Sequence, residues 1–264
     1  MEKYINSQYL NLEETAEKFK QAYKEADPFP SIHFEDFFNP ETLDKVLGEF
    51  PDLSAGKTIK KDTANTQEKY ATRGESMFGP HTKDFVHFLN SEPFLLFLKE
   101  LTSMERYLIP DPYLEGGGFH EIKKGGFLRV HADFNRLERY QIDRRLNVLV
   151  YLNKDWKEEY GGHFELWNLE MTECVKKILP KFNTLAMFST TDFSYHGHPN
   201  PLDCPEDRSR KSLALYYYTN GRPEEEINKG LEDHSTLYMK RKGHNEDNVG
   251  IGKKIGSAFK KLVK

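Results

Sequence analysis

Apolar positions recur at helical spacing in the first part of the chain. Asn39 followed by Pro40 is typical of a helix start, because asparagine caps free backbone N–H groups and proline fits the first helical turn. Pro28 and Pro51 each end a helical pattern that precedes them. The spacing predicts helices over 10–23, 40–50, 80–89 and 93–102, a strand over 31–34 and a polar loop over 54–66. This part of the chain is therefore expected to be mostly helical.

The pattern changes after Pro110, where short apolar runs alternate with glycines. The runs predict strands over 119–122, 127–131, 146–152, 163–167, 184–188 and 212–218. Gly125-Gly126 lies between the first two runs and predicts a hairpin turn. No helix-length segment separates most of the runs, which disfavours a parallel α/β sheet and favours a β-sandwich or barrel.

Charge and composition exclude several classes of protein. The chain of 264 residues has 38 basic and 42 acidic side chains, a formal net charge of −4, so a nucleic-acid partner is not expected. Cys174 and Cys204 are too few for a disulfide framework or a four-cysteine zinc site. The N-terminal segment has no apolar run typical of a secretory signal, and every apolar window is shorter than the roughly 20 residues of a membrane span. We therefore expect a cytoplasmic protein without a transmembrane segment.

The candidate chemistry lies at His131-Ala132-Asp133. Residues two apart in a strand face the same side, so this imidazole and this carboxylate would project together. With one more imidazole they form a facial triad, which leaves coordination positions open on an iron(II) ion. The triplet alone is a weak signal, but His196 and His198 follow an apolar strand, and either has the residue type of a third ligand.

A candidate anchor for a carboxylate follows the second histidine. Arg210-Lys211-Ser212 opens the next predicted strand, and by alternation Arg210 and Ser212 share one face. A guanidinium beside a hydroxyl is suited to holding a carboxylate through charge-assisted hydrogen bonds. The metal triad and this anchor together are a stronger signal than either one alone.

Three stretches resemble the iron(II)- and 2-oxoglutarate-dependent dioxygenases, in particular their prolyl 4-hydroxylase-like branch. They are 125–133, 151–156 with Gly161-Gly162, and 195–199 continuing to 210–213. The resemblance covers roughly residues 30–222 and implies a mainly β protein with flanking helices, built on a double-stranded β-helix (jelly-roll) core that N-terminal helices buttress. It also implies iron(II), 2-oxoglutarate as cosubstrate and O₂, with ascorbate as a further candidate reductant.

The resemblance also implies roles for individual residues. The implied iron ligands are His131, Asp133 and His196. The implied contacts to 2-oxoglutarate are Arg210, at the far carboxylate, with Ser212, Tyr151 and Asn147. Ile122 stands where relatives often have a tyrosine. By the same resemblance, the carboxylate of Asp133 favours hydroxylation or a related oxidation over halogenation, because halogenases of this superfamily have a small residue in its place.

We predict three regions along the chain. Residues 1–30 form an N-terminal helical arm, and 31–222 form the dioxygenase domain, with mostly helical support over 31–110 and the jelly-roll core over 111–222. Residues 223–264 form a polar extension. Its end, 249–264, is basic and amphipathic, which is typical of a small packed helix or of a segment that binds an anionic surface or a partner.

The expected reaction is hydroxylation of an unactivated C–H bond in an amino-acid, peptide or small-molecule substrate, with release of succinate and CO₂. A metal-dependent hydrolase or isomerase on the same fold, and a non-catalytic jelly-roll binding module, are the alternatives. The oligomeric state is open. Four arginines follow the metal motif, at positions 136, 139, 144 and 145. They predict either an acidic substrate or partner, or a solvated loop balanced by Glu138 and Asp143.

Overall fold

Helices and one large antiparallel sheet make up the structure, a computed structural model that describes residues 1–55, 58–227 and 233–246. The helices are α1 (Leu12–Lys24), α2 (Pro40–Gly48), α3 (Pro80–Leu89) and α4 (Glu92–Thr102). The Asn39 side chain accepts hydrogen bonds from the first backbone N–H groups of α2, and Asn11 caps α1 in the same way. The predicted helices are thus confirmed, with small shifts at their ends.

The strands of the described residues belong to one sheet. They are β1 (Ser31–Phe34), β2 (Ile59–Thr63), β3 (Thr66–Ala71), β4 (Ile109–Pro110), β5 (Gly118–Ala132), β6 (Arg136–Leu137), β7 (Ile142–Tyr151), β8 (Phe164–Trp167), β9 (Cys174–Ile178), β10 (Leu185–Ser189), β11 (His196–His198), β12 (Ser209–Thr219) and β13 (Leu237–Tyr238). The main path runs β1-β10-β7-β12-β5-β11-β8-β9. Strands distant in sequence therefore lie side by side, as in a double-stranded β-helix, and the predicted jelly-roll with flanking helices is confirmed.

The helices pack against one side of the sheet through a shared aromatic core. Phe37 and Phe38, which follow β1, contact rings from α3 and α4, and Phe37, Phe85 and Phe94 are fully buried. Tyr23 of α1 is also buried, and its hydroxyl lies 2.8 Å from the Ser189 hydroxyl on β10. Residues 1–30 are therefore packed onto the core through the apolar side of α1.

The predicted hairpin at Gly125-Gly126 is wrong, because β5 runs without a turn from Gly118 to Ala132. Its first half pairs with β12 and its second half with β11, while β3 borders both halves on the other edge. Gly125 has a φ of 74°, and its backbone N–H donates to the carbonyl of Leu202. The glycines thus mark the place where the strand exchanges one partner for another, rather than a reversal of the chain.

The predicted loop over 54–66 is also wrong in its second half, which forms β2 and the first residue of β3. The two strands are joined as a hairpin whose side chains are mostly polar, so apolar alternation gave no signal for it. The hairpin covers one edge of β5 beside the candidate metal motif.

Two of the four arginines after the metal motif are buried in β7, not in a solvated loop. Arg144 and Arg145 are 1% and 6% exposed. A register shift places Tyr218 opposite Arg144, although Tyr217 lies opposite Leu146. Arg145 is therefore the extra residue of a bulge, which turns Arg144 to the same face as Asn147.

Some predictions are not decided by the fold. The described helices include none that is both long and apolar enough to cross a membrane. The predicted basic segment over 249–264 lies outside the described residues. The domain boundaries and the cytoplasmic location stay predictions.

Asn183 joins the helical layer to the sheet, and we expect its loss to destabilise the fold. Its buried side chain accepts a hydrogen bond from the Phe38 backbone N–H (2.9 Å) and donates one to the Phe38 carbonyl (2.8 Å). Its φ of 62° also suits asparagine better than alanine. Asn183→Ala should lower the free energy of unfolding by about 2–4 kcal/mol, measured by urea denaturation.

Asn220→Ala is the matched control, because Asn220 is exposed. It should change the free energy of unfolding by less than about 0.5 kcal/mol. Equal urea midpoints for the two variants would show that the paired hydrogen bonds at Asn183 do not hold the layers together.

Candidate metal centre

Antiparallel pairing of β5 with β11 places two histidines opposite each other. His131 near the end of β5 pairs with His196 at the start of β11, and their ring centroids are 4.4 Å apart. Asp133 follows two residues after His131, on the same face. All three side chains are buried, and one donor atom of each lies within 4.8 Å of the others. The structure thus brings together the three residues that the sequence predicts as ligands.

Hydrogen bonds fix which nitrogen of each ring is free. The Nδ1 atoms of His131 and His196 lie 2.8 Å from the carbonyl oxygens of Arg129 and Ser194. A carbonyl only accepts, so Nδ1 carries the hydrogen of each neutral ring and Nε2 keeps a lone pair. These Nε2 atoms lie 3.4 Å and 3.5 Å from the two carboxylate oxygens of Asp133.

Three electron-pair donors therefore face one another in a buried space. Such an arrangement is repulsive unless a cation lies between the donors. Two imidazoles and one carboxylate form the donor set typical of non-haem iron(II) sites with open positions. On this chemistry the residues fit the metal that the sequence predicts.

The carboxylate of Asp133 is held by two side chains of β7. Nη2 of Arg144 and Nδ2 of Asn147 both donate to its Oδ2 atom, at 2.9 Å and 2.8 Å. The guanidinium of Arg144 also lies over the ring of Tyr216, 3.5 Å from the centroid. Burial alone would raise the pKa of Asp133, but Arg144 and the two imidazoles outweigh burial and hold it well below its ordinary value. The aspartate is therefore an anion at neutral pH.

His196 is correspondingly held neutral. Burial and the neighbouring ring of His131 lower the pKa of His196 to about 3. The rings of Phe188 and Phe164 lie 4.4 Å and 5.5 Å from its own and form the apolar wall on that side. The lone pair on its Nε2 atom stays available at any pH near neutral.

An inner cavity extends from the metal ligands to Arg210 on β12. Arg210 is buried; its Nε atom donates to the Gly162 carbonyl (2.7 Å) and its Nη2 atom to the Tyr151 hydroxyl (3.1 Å). A Cβ atom at position 162 would lie 2.5 Å from Cδ2 of Leu202 and 3.0 Å from Cδ of Arg210, and Gly162 has a φ of 71°. The backbone conformation and the space beside Leu202 and Arg210 therefore both favour glycine there.

Polar atoms without a partner point to a ligand in this cavity. Neither ring nitrogen of His198, nor Oδ1 of Asn147, has a hydrogen-bond partner in the part of the chain that the structure describes, although both residues are buried. Both line the inner cavity with Arg210 and Ser212. Orphaned buried polar groups are costly, so a polar ligand fits the space between the metal ligands and Arg210.

The predicted site residues converge, and several further residues complete the cavity. The structure brings together His131, Asp133, His196, Asn147, Ser212 and Arg210, with Tyr151 behind the guanidinium. Sequence reasoning gave no role to Lys69, His120 or Tyr238, and it named Arg144 only as one of four arginines after the metal motif. His198, the other candidate for the third ligand, is buried two residues after His196 and lines the inner cavity outside the triad. Lys69 and Tyr238 reach the site only through strand pairings that local patterns do not encode.

The fold and the site define a class of protein, and comparisons with known proteins agree with it. A jelly-roll with a buried His-Asp-His cluster and an arginine deeper in the same cavity is the architecture of an oxygenase domain with non-haem iron. Residues 117–218 match the family model described as the 2OG-Fe(II) oxygenase superfamily. The resemblance is therefore confirmed over these residues, and with it the predicted iron(II) and 2-oxoglutarate.

Individual relatives are similar over different parts of the chain. A curated relative, prolyl 3-hydroxylase OGFOD1 of Mus musculus, is 29% identical over 79 residues, which are 28% of this chain and 14% of that protein. A prolyl-4-hydroxylase of Pseudomonas putida has a TM-score of 0.56 at 14% identity and covers 77% of this chain and 100% of its own. A prolyl hydroxylase of Trichoplax adhaerens, solved with a peptide fragment of hypoxia inducible factor, has a TM-score of 0.56 at 17% identity and covers 80% and 92%. At these identities the structural likeness shows a shared fold.

Replacement of His196 and His198 should separate a metal ligand from its neighbour. The Nε2 atom of His196 faces Asp133, so His196→Ala should weaken binding of manganese(II) by more than about 100-fold, measured by calorimetry without 2-oxoglutarate. His198→Ala should retain the affinity within a few-fold, because no atom of His198 belongs to the triad. The opposite result would make His198 the third ligand.

Proposed function

We propose that the chain is an iron(II)- and 2-oxoglutarate-dependent hydroxylase, which oxidises an unactivated C–H bond of an amino-acid, peptide or small-molecule substrate. The observation that carries the proposal is one cavity in which the His-Asp-His cluster lies at one end and the Arg210 guanidinium at the other. A dicarboxylate that spans the cavity could bind a metal ion at the cluster with one end and the Arg210 guanidinium with the other. Neither a metal-dependent hydrolase or isomerase nor a non-catalytic binding module requires a buried arginine at this position.

Each residue of the cavity has a defined part in this proposal. Arg210, oriented by Gly162 and Tyr151, would bind the far carboxylate of 2-oxoglutarate through charge-assisted hydrogen bonds. His131, Asp133 and His196 would hold iron(II), and Asn147 and Arg144 would keep the carboxylate of Asp133 oriented. When bound, iron(II) with 2-oxoglutarate and O₂ supplies the oxidising chemistry, with release of succinate and CO₂. Ascorbate would serve as a reductant outside this cycle.

The substrate would approach from a second, outer cavity that adjoins the inner one. Both cavities share His131 and Asp133, and the outer one is bordered by the β2–β3 hairpin and by Tyr238. The matched relatives include prolyl 3- and prolyl 4-hydroxylases, and one was solved with a bound peptide fragment. Prolyl residues in peptides are therefore the first substrates to test.

Anaerobic titration separates the proposal from its rivals. Iron(II) and 2-oxoglutarate together should produce a weak visible absorption band, and admission of air should then yield succinate even without substrate. His131→Ala and Asp133→Ala should each abolish both signals, because each removes one donor of the triad. A zinc-dependent hydrolase or a binding module would show neither band nor succinate in the wild-type protein.

Arg210→Ala should raise the KM for 2-oxoglutarate by about 30- to 150-fold, which corresponds to about 2–3 kcal/mol for a desolvated charge pair. Succinate formation at varied 2-oxoglutarate measures the change. Arg208→Ala is the matched control, because the Arg208 guanidinium binds the Lys154 carbonyl outside the cavity. Equal KM values for the wild type and Arg210→Ala would remove Arg210 from the proposal.

A further inference from the structure

The outer cavity is positively charged beside the metal ligands. Lys69 on β3 lines both the inner and the outer cavity, and Lys61 on β2 lines the outer one. The acidic side chain among the lining residues of the outer cavity is Asp133, and Arg144 and Asn147 already bind it. The charge of Lys69 is therefore not matched by the groups around it.

Lys69 itself is half-buried and has no carboxylate within ion-pair distance among the described residues. Its strand pairing places it beside Ile122 of β5, and Arg210 of β12 lies on the other side of the same residue. Burial, helped by the charge of Lys61, lowers the pKa of Lys69 to about 7. An anion close to this ammonium would restore its charge and recover the cost of burying it.

The pairing of β2 with β3 adds a second positive charge next to Lys69. Lys61 lies directly opposite Lys69 in the hairpin, and like charges at directly opposed positions destabilise a sheet. On the other face of the same hairpin, Lys60 is paired with Asp62 (2.9 Å) and Glu68 (3.2 Å). Lys60 thus has acidic partners, whereas the two lysines that line the outer cavity have none among the described residues.

Bound together, iron(II) and the 2-oxoglutarate dianion would cancel each other's formal charge and so would not offset the charges of Lys69 and Lys61. In the proposed function, Arg210 holds the far carboxylate of 2-oxoglutarate and the metal holds its other end. Lys69 lies between the two cavities, and Lys61 lies at the outer one alone. A second anion on the substrate side would offset them.

We propose that the substrate carries an oxyanion, a carboxylate or a phosphate, that Lys69 binds next to the metal ligands with Lys61 at the mouth of the cavity. The inference rests on the proposed function and narrows its substrate to an acidic one. Lys69 is a binding residue in this proposal and takes no part in the oxidation. A neutral analogue of the substrate would leave the ammonium buried without a counter-ion, which is how the site would reject it.

A panel of matched probes tests the proposal. It contains N-acetyl amino acids, each as free carboxylate and as amide, and peptides with phosphoserine or serine, and the readout is succinate release above the uncoupled rate. Anionic members should stimulate release more than their neutral partners. A response confined to the carboxylate–amide pair would identify a carboxylate site, and one confined to the phosphoserine–serine pair a phosphate site. Lys69→Met should raise the KM for the stimulating probe by about 10- to 100-fold and change the KM for the cosubstrate less than twofold.

Lys60→Met is the matched control, since Lys60 lies on the same hairpin with its partners on the solvent face. It should leave the KM values for the probe and for the cosubstrate unchanged. Lys69→Met should also unfold at the same or a higher temperature than the wild type, because it removes the repulsion with Lys61. Loss of probe affinity without loss of stability is a result that a purely structural lysine would not give.

Three results would overturn the proposal: stimulation by the amides as strong as by the carboxylates, a raised cosubstrate KM in Lys69→Met, or no effect of that variant. If no probe stimulates release, a thermal unfolding measurement tests the oxyanion site instead. The protein is loaded with manganese(II) and 2-oxoglutarate, and its midpoint is compared with and without millimolar phosphate or acetate. A rise in the wild type that Lys69→Met loses supports the oxyanion site, and equal rises overturn it. Failure of the proposed function is distinct, because the wild type would then form no succinate even without a probe.

Discussion

The candidate site depends on the cross-strand pairing of His131 with His196. Side chains alternate between the faces of a strand, so a shift of β11 by one residue against β5 would turn His196 out of the cluster. The other edge of β11 also fixes its register, because His196 pairs there with Leu166 of β8. Backbone pairing on both edges of a three-residue strand thus sets the position of one donor, and i, i+2 alternation on β5 sets the other two.

Electrostatics then determine what the cluster can hold. Burying a carboxylate is unfavourable unless it is paired. The Arg144 guanidinium and the Asn147 amide offset this free-energy cost by donating hydrogen bonds to one oxygen of Asp133. Backbone carbonyls bind the Nδ1 atoms of both imidazoles and leave the Nε2 atoms as electron-pair donors. The three donors are thus oriented by their surroundings before any cation binds, which favours a rigid metal site.

Cationic groups line both of the cavities that the metal ligands border. Arg210 closes the inner cavity, where Gly162 gives it room and Tyr151 contacts its guanidinium. Lys69 stands at the junction with the outer cavity, where the hairpin of β2 and β3 covers the edge of β5. The same framework therefore places one cationic group deep in the inner cavity and another where the two cavities meet.

Local sequence patterns determined much of this arrangement. Asn39 and Pro40 specified a helix start, and alternation indicated the strands that carry His131 and Tyr151. The triplet and the later histidines limited the ligand set to His131, Asp133 and either His196 or His198. The reason is that capping and strand alternation act between residues only a few positions apart.

Tertiary structure alone decided the rest. Gly125 lies inside a continuous strand because β12 and β11 pair with its two halves, and Arg144 faces Asp133 because a bulge at Arg145 shifts β7 against β12. Lys69 enters the cavity through a polar hairpin that pairs with a strand distant in sequence. These outcomes depend on partners far away in the chain, whose hydrogen bonds and burial override what the local residues prefer.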